Sequence, residues 1–237
     1  MPIPKPQNEA KRIDALRRYR ILDTPAEQSF DDIALIAATV CGTPIALMTL
    51  LDGERQWFKA RVGLDVSQTP REHAFCSYTI LGGDVLVVED ALKDVRFSKN
   101  PLVTSNPHIR FYAGSPLVDS RGYALGSLCV IDHQPRVLAV EQLAVLQALS
   151  RQVISLIEFL RVSAELAEAL TEIETLQGFL PICMHCKKVR NDKDYWESVE
   201  HYISQRSAVR FSHGICPHCV QTHYPEVYAQ MQAKRDT

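Results

Sequence analysis

The sequence has no surplus of charge of either sign: 26 Lys and Arg stand against 28 Asp and Glu over 237 residues, leaving −2 at neutral pH. A surface built to follow phosphates or anionic lipid carries a clear basic excess, so neither nucleic acid nor a membrane is expected as the main partner. No glycine-rich phosphate loop is present, nor any kinase, cyclase or phosphodiesterase signature, and the chain reads as non-enzymatic. No transmembrane run is expected, and the proline-spaced stretch 1–7 reads as an extended arm, not an apolar export segment. With 46% hydrophobic and 23% charged residues, the composition is that of a soluble globular protein with room for one full domain and a small one. The seven cysteines are an odd number and include Cys41, Cys76 and Cys129, which point to a reducing cytoplasm.

The other four cysteines carry the sharpest chemical signal. Cys183 and Cys186, then Cys216 and Cys219, form two C-x2-C pairs separated by 29 residues. Two thiolates three positions apart can wrap one tetrahedral ion from a single turn, and two such turns close a four-sulfur shell, which predicts structural zinc. A redox dithiol, or ordinary buried thiols, are the competing readings. His185, His213, His218 and His223 lie nearby, and His213 is held as a reserve ligand. The segment 179–237 has few large apolar side chains, among them Val189, Trp196, Val199, Ile203, Phe211 and Val227, so its core alone should be marginal and zinc should staple it. Lys187, Lys188 and Arg190 would offset the double negative charge of four thiolates on a divalent ion. A zinc-ribbon touching nucleic acid through these three residues with Arg206 and Arg210 is the alternative. Eight Lys and Arg against six Asp and Glu in the segment make a weak case for it.

Before that segment the hydrophobic period alternates between helix and strand. Apolar residues at Ile13, Leu16 and Tyr19 predict an amphipathic helix over 8–22, and Phe30, Ile33, Ala34, Ala37 and Ala38 predict a second over 30–40, with a capping signal at Ser29 and a stop at Gly42. Residues 45–51 read as a buried strand and 56–62 as its hairpin partner. A short helix at 75–81, a strand at 85–88, a polar stretch at 90–107 and strands at 109–118 and 122–131 follow. From Val137 a helical period persists to Leu176.

Taken in order, the motifs Ile21-Leu-Asp-Thr with Glu27, Arg55-Gln-Trp-Phe-Lys, Phe75-Cys76, Asp90-Ala91 with Asp94 and Arg96-Phe97, Asn100-Pro-Leu-Val, Phe111-Tyr-Ala-Gly and Gly126-Ser-Leu-Cys resemble a bacterial GAF domain. The likeness covers residues 8–161 and is closest to the subclass found on histidine kinases and diguanylate cyclases. It implies an α+β fold: a GAF-type antiparallel sheet of five or six strands with helices on both faces, then a long signalling helix. The cysteine-rich end resembles a small module that follows sensory domains in bacterial signalling proteins, of zinc-ribbon or treble-clef-like fold. The expected organisation is an arm at 1–7, a GAF sensor at 8–161, a coiled-coil linker at 162–178 and a zinc-binding module at 179–237.

A GAF pocket would lie on one sheet face, lined from Trp57, Phe58, Phe75, Cys76, Phe111 and Tyr112, with Arg71 or Arg96 available for an anion. Core packing is the competing role for these aromatics, and a hydrogen-bonded turn for the Asp90 to Phe97 motif. Some GAF proteins reduce free methionine sulfoxide with cysteines. Here Cys129 falls mid-strand, where a thiol is inert, and only Cys76 is reachable, so a Cys-dependent reductase stays a second alternative. Leu146, Leu149, Val153, Leu156 and Leu160 recur at three and four, and Leu166, Leu170, Ile173 and Leu176 resume the seam after a slip near Ser163, a candidate hinge. For residues 137–154, packing on the sheet of their own domain is an equal reading to pairing; past Arg161 a partner helix is expected, giving a parallel homodimer. The function implied is a cytoplasmic signal-transduction regulator that senses a small ligand or redox state and acts on an unidentified protein partner through the zinc module.

Overall fold

The computed structural model describes residues 4–177, 181–191, 193–206 and 209–233. The chain forms two compact units, Met1–Glu168 and Ala169–Thr237. In the first, α1 (Glu9–Arg18) and α2 (Gln28–Cys41) precede the hairpin β1 (Ile45–Leu51) and β2 (Arg55–Val62). After these come β3 (Gln68–Pro70), α3 (Cys76–Thr79), β4 (Leu86–Val88), α4 (Pro101–Thr104), β5 (Phe111–Val118), β6 (Ala124–Asp132) and the long helix α5 (Val140–Gln177). The six strands pair antiparallel in the order β3-β2-β1-β6-β5-β4. Two short pieces, β3 and α4, lie where the sequence predicts only loop; each is too brief to show a period.

Both faces of the sheet are covered, which is why β1 is buried at every residue instead of alternating. On one face Leu16 of α1, Phe30 and Ala34 of α2, and Leu146, Val153 and Ile157 of α5 pack on Ala46, Met48, Leu50, Trp57 and Phe111. On the other face Ile45, Leu47, Phe58, Tyr112 and Cys129 meet α3, α4 and the loops around them through Phe75, Cys76, Phe97 and Val103. Gly126 lets β6 approach β1: a Cβ there would lie 1.9 Å from the Thr49 carbonyl oxygen. Gly42 ends α2 with φ +64, a left-handed cap that a side chain would strain. The capping signal at Ser29 goes unused, because α2 begins earlier, after Glu27, without a side-chain cap.

Helix α5 runs unbroken through Ser163, so the slip in the seam does not interrupt the helix. Its first half covers its own sheet, whereas Val162, Leu166 and Leu170 are exposed. Ile173 and Leu176 lie outside the described side chains. Contrary to the sequence reading, Val140–Thr171 is long and apolar enough to cross a membrane by length and composition. Part of that apolar content is the stripe that packs on the sheet.

In the second unit β7 (Val189–Arg190) and β8 (Trp196–Glu197) form a small hairpin, followed by α6 (Val199–Arg206), α7 (Pro217–His223) and α8 (Pro225–Ala233). Among its described residues only Val189 is buried.

Candidate functional site

Strand alternation decides what the second sheet face presents. Gln56 and Phe58 of β2 project to one side and Trp57 to the other; Tyr112 of β5 projects with Phe58, and Phe111 with Trp57. A cavity of about 200 Å³ lies on the Phe58 and Tyr112 side, walled by Leu47, Gln56, Phe58, Phe75, Cys76 and Tyr112, with Leu64, Val66, Asn106 and Ile109 closing its rim. Most of that wall is apolar, and Phe75 is held in it by stacking on Phe97 at 4.0 Å between ring centres. One polar group is left over: the Gln56 amide oxygen is buried and has no protein partner.

Of the expected pocket residues, the cavity therefore gathers Phe58, Phe75, Cys76 and Tyr112. Trp57 and Phe111 belong to the opposite core, because adjacent strand residues cannot share a face. Arg71 is buried at the sheet edge, where its Nη1 donates to Glu9 Oε1 and to the Asp52 carbonyl, away from the cavity. Arg96 lies outside as well, bonded to Asp94 at 2.6 Å and lying 5.1 Å from the Phe97 ring centre. Gln56 was missed, although its two-residue offset from Phe58 placed it on the same face.

The polar motif between β4 and α4 is architectural. Asp90 binds Arg110 at 3.0 Å and accepts the Leu92 N–H, and Asp94 accepts the Arg96 N–H. Asn100 caps α4 by accepting the Leu102 N–H and donates to the His73 carbonyl at 3.0 Å, tying the loop before α3 to α4.

Behind the cavity wall is a buried polar network centred on sulfur. Cys76 Sγ lies 4.0 Å from Cys129 Sγ, with the Tyr112 hydroxyl donating to it at 3.3 Å and the Thr49 hydroxyl at 3.4 Å. Thr79 in turn lies 2.6 Å from the Tyr112 hydroxyl. Burial alone would raise the Cys76 pKa, but hydrogen bonds from Cys129, Ser127, Thr49 and Tyr112 outweigh it and bring it down to about 6. Cys129 is pushed well above the usual thiol value, first by its hydrogen bond to Cys76 and then by burial. Within the pair the hydrogen bonds thus favour ionisation at Cys76 over Cys129.

The four C-terminal cysteines form two separate turns. Cys183 N–H donates to the Lys188 carbonyl and Lys187 N–H to the Cys183 carbonyl, with Lys187 in the left-handed conformation that closes the turn. Backbone N–H groups of Cys186 and His185 pull the Cys183 pKa down. Cys216 precedes α7 and accepts the Cys219 N–H at 3.5 Å, which lowers its pKa in the same way. Among the described residues no three His, Cys, Asp or Glu side chains converge as a metal site, so the structure gives the pairs but not the four-sulfur cluster. Arg190 pairs with Asp194 at 3.5 Å, and Arg206 with Glu197 at 3.7 Å while lying on the Tyr202 ring.

An antiparallel sheet with a helical layer on one face and a small, largely apolar cavity on the other defines the class. The GAF domain model matches residues 25–157, over half of the chain, and the protein belongs to the GAF family as a GAF-domain signalling protein. A protein of Pseudomonas aeruginosa named as a cyclic di-GMP phosphodiesterase is 46% identical over 159 residues, 67% of this chain. The match covers 27% of that relative. Among solved structures, the GAF domain of a phosphoenolpyruvate-protein phosphotransferase from Coxiella burnetii is similar in fold, with a TM-score of 0.50 and 14% identity over 67% of this chain and 97% of that one. The corresponding domain from Acinetobacter gives 0.49 and 21%, covering 63% and 93%. The expectation of a non-enzymatic chain does not stand, because the Pseudomonas aeruginosa relative is named as an enzyme. Signatures of catalysis absent from one stretch of sequence do not exclude it for a protein that resembles part of a longer one.

Proposed function

We propose that the chain is a signal-transduction regulator whose GAF cavity takes a small, mostly apolar ligand bearing one hydrogen-bond donor, and whose C-terminal module passes the response to a protein partner. The observation that carries this reading is the orphaned Gln56 oxygen in the wall of the cavity. A buried acceptor without a partner costs roughly 1–3 kcal/mol, and a donor on a ligand removes that cost. Identity of 46% over 159 residues to part of the Pseudomonas aeruginosa protein supports cyclic di-GMP turnover as the pathway served.

In the module, Cys183, Cys186, Cys216 and Cys219 would hold a structural zinc ion. Each pair already aims a backbone N–H at a sulfur, which favours the thiolate a metal needs. With Val189 the only buried side chain among the described residues of 169–237, apolar burial there is scant and a metal cross-link would supply what it lacks. Leu166 and Leu170 lie exposed on α5, and a second copy of the chain would cover them as a parallel homodimer.

Native mass spectrometry of freshly purified protein tests these elements together. A dimer with one zinc per chain and a small-molecule adduct that is lost in Gln56→Leu is expected; a metal-free monomer without adduct defeats the reading. In a bacterium producing the chain, cellular cyclic di-GMP should shift, and an unchanged level removes that pathway from the proposal.

A further inference from the structure

We propose that Cys76 and Cys129 form a reversible dithiol–disulfide site that is oxidised by a small hydroperoxide entering the cavity. This goes beyond the ligand reading above and rests only on the cavity and the sulfur pair.

The two sulfurs come from elements 53 residues apart and meet at 4.0 Å. A disulfide needs about 2.05 Å, so an approach of roughly 2 Å closes it, within reach of side-chain rotation and a small shift of the four-residue α3. Cys76 lines the cavity and Cys129 stands behind it. The cavity, at about 200 Å³, has room for an oxidant not much larger than a water molecule, whose share of liquid volume is about 30 Å³. The hydroxyls of Tyr112 and Thr49 point at Cys76 sulfur and support its ionised form, and only the thiolate is a competent nucleophile.

The chemistry balances with the peroxide as sole oxidant. Cys76 thiolate attacks one peroxide oxygen, the O–O bond breaks, and Cys76 becomes a sulfenic acid while the departing alkoxide takes up a proton and leaves as alcohol. Cys129 sulfur then attacks the sulfenic sulfur; the S–O bond breaks, and the hydroxide released leaves as water with the Cys129 proton. Two thiols and one hydroperoxide yield one disulfide, one alcohol and one water. An external dithiol reverses the step by exchange. Closing the bond draws α3, which carries Cys76 and Thr79, toward β6 and so reshapes one wall of the cavity.

Cys41 provides an internal control, since it lies in the opposite core and burial pushes its thiol up. The full-length protein is treated with a modest excess of hydrogen peroxide, quenched in denaturant with an alkylating reagent, and mapped by mass spectrometry without reduction. A peptide pair linked through Cys76 and Cys129 is expected, lost on treatment with dithiothreitol. Cys76 should be oxidised on the order of tenfold faster than Cys41 at neutral pH, from its greater thiolate content. In Cys129→Ala, dimedone should trap a sulfenic acid on Cys76. If that variant does not fold, the same adduct in wild type at times before the linked peptide accumulates carries the test. Cys76 and Cys129 both staying alkylatable while the C-terminal cysteines oxidise, or Cys76 linking to a different cysteine, overturns the proposal.

Discussion

Lys59 of β2 donates to the Glu27 carboxylate at 2.7 Å with its own side chain fully buried. The same ammonium donates to the Thr24 hydroxyl and the Pro25 carbonyl, each at 2.7 Å, and lies 5.2 Å from the centre of the Phe30 ring. Four residues earlier on β2, Arg55 binds Asp23 through both terminal nitrogens. Two separated stretches of sequence, 21–30 and 55–59, are thus one hydrogen-bonded joint that fixes the entry to α2 against the sheet. Lys59 has all three of its donors matched, which is what makes burial of a lysine tolerable.

Lys59→Met should therefore destabilise the GAF unit by about 2–4 kcal/mol, since Glu27 and Thr24 lose their partner along with the charge. Glu27→Gln, which keeps an oxygen acceptor, should cost about 1 kcal/mol. Denaturant midpoints measure both; equal midpoints for Lys59→Met and wild type would show that the joint carries no stability.

Gln56→Leu should act in two opposite directions. Without ligand it removes a buried acceptor that nothing satisfies, so stability should rise by about 1–3 kcal/mol. With the native ligand present the variant should gain less than wild type on binding, and thermal shift with and without cell extract reads the difference. A ligand-free variant that melts below wild type would show that Gln56 is satisfied within the protein.

The attachment of α1 should be acid-labile. Burial would raise the Glu9 pKa, but hydrogen bonds from Arg12 and Arg71 outweigh it and hold it at about 2, against an ordinary 4.5. The folded value lies below the unfolded one, so this contribution is complete above pH 4.5 and is lost as pH falls from there toward about 2. Hydrogen exchange of α1 amides should quicken across that window in wild type. In Glu9→Gln the attachment should be weaker at neutral pH and its loss flatter with acid; identical profiles for the two proteins would remove Glu9 from the account.

Metal removal should separate the two units in their response. A chelator should make residues 181–233 protease-sensitive while the GAF unit keeps its melting temperature, because structural zinc contributes on the order of 10 kcal/mol to a module with so little buried surface. Cys216→Ser should reproduce this without chelator. Unchanged protease resistance in both would leave the cysteine pairs without a metal role.

The strand and helix periods, the order of the motifs and the C-x2-C spacing were legible in the amino-acid sequence, and with them the α+β sheet and its long helix. These are local properties: period two marks a strand, a period near 3.6 marks a helix, and Gly42 marks a helix end without reference to anything distant. Which side of the sheet each residue faces was not legible. In Trp57-Phe58 and Phe111-Tyr112 alternation fixes that neighbours diverge, but with both faces buried, hydrophobicity is equal on the two sides and names neither as the cavity. Only the tertiary structure placed Phe58 and Tyr112 at the cavity and brought Cys76 to Cys129 and Lys59 to Glu27. The last two pairings come from chain segments far apart in sequence, and what brings them together is sheet register and helix packing, which no local pattern records.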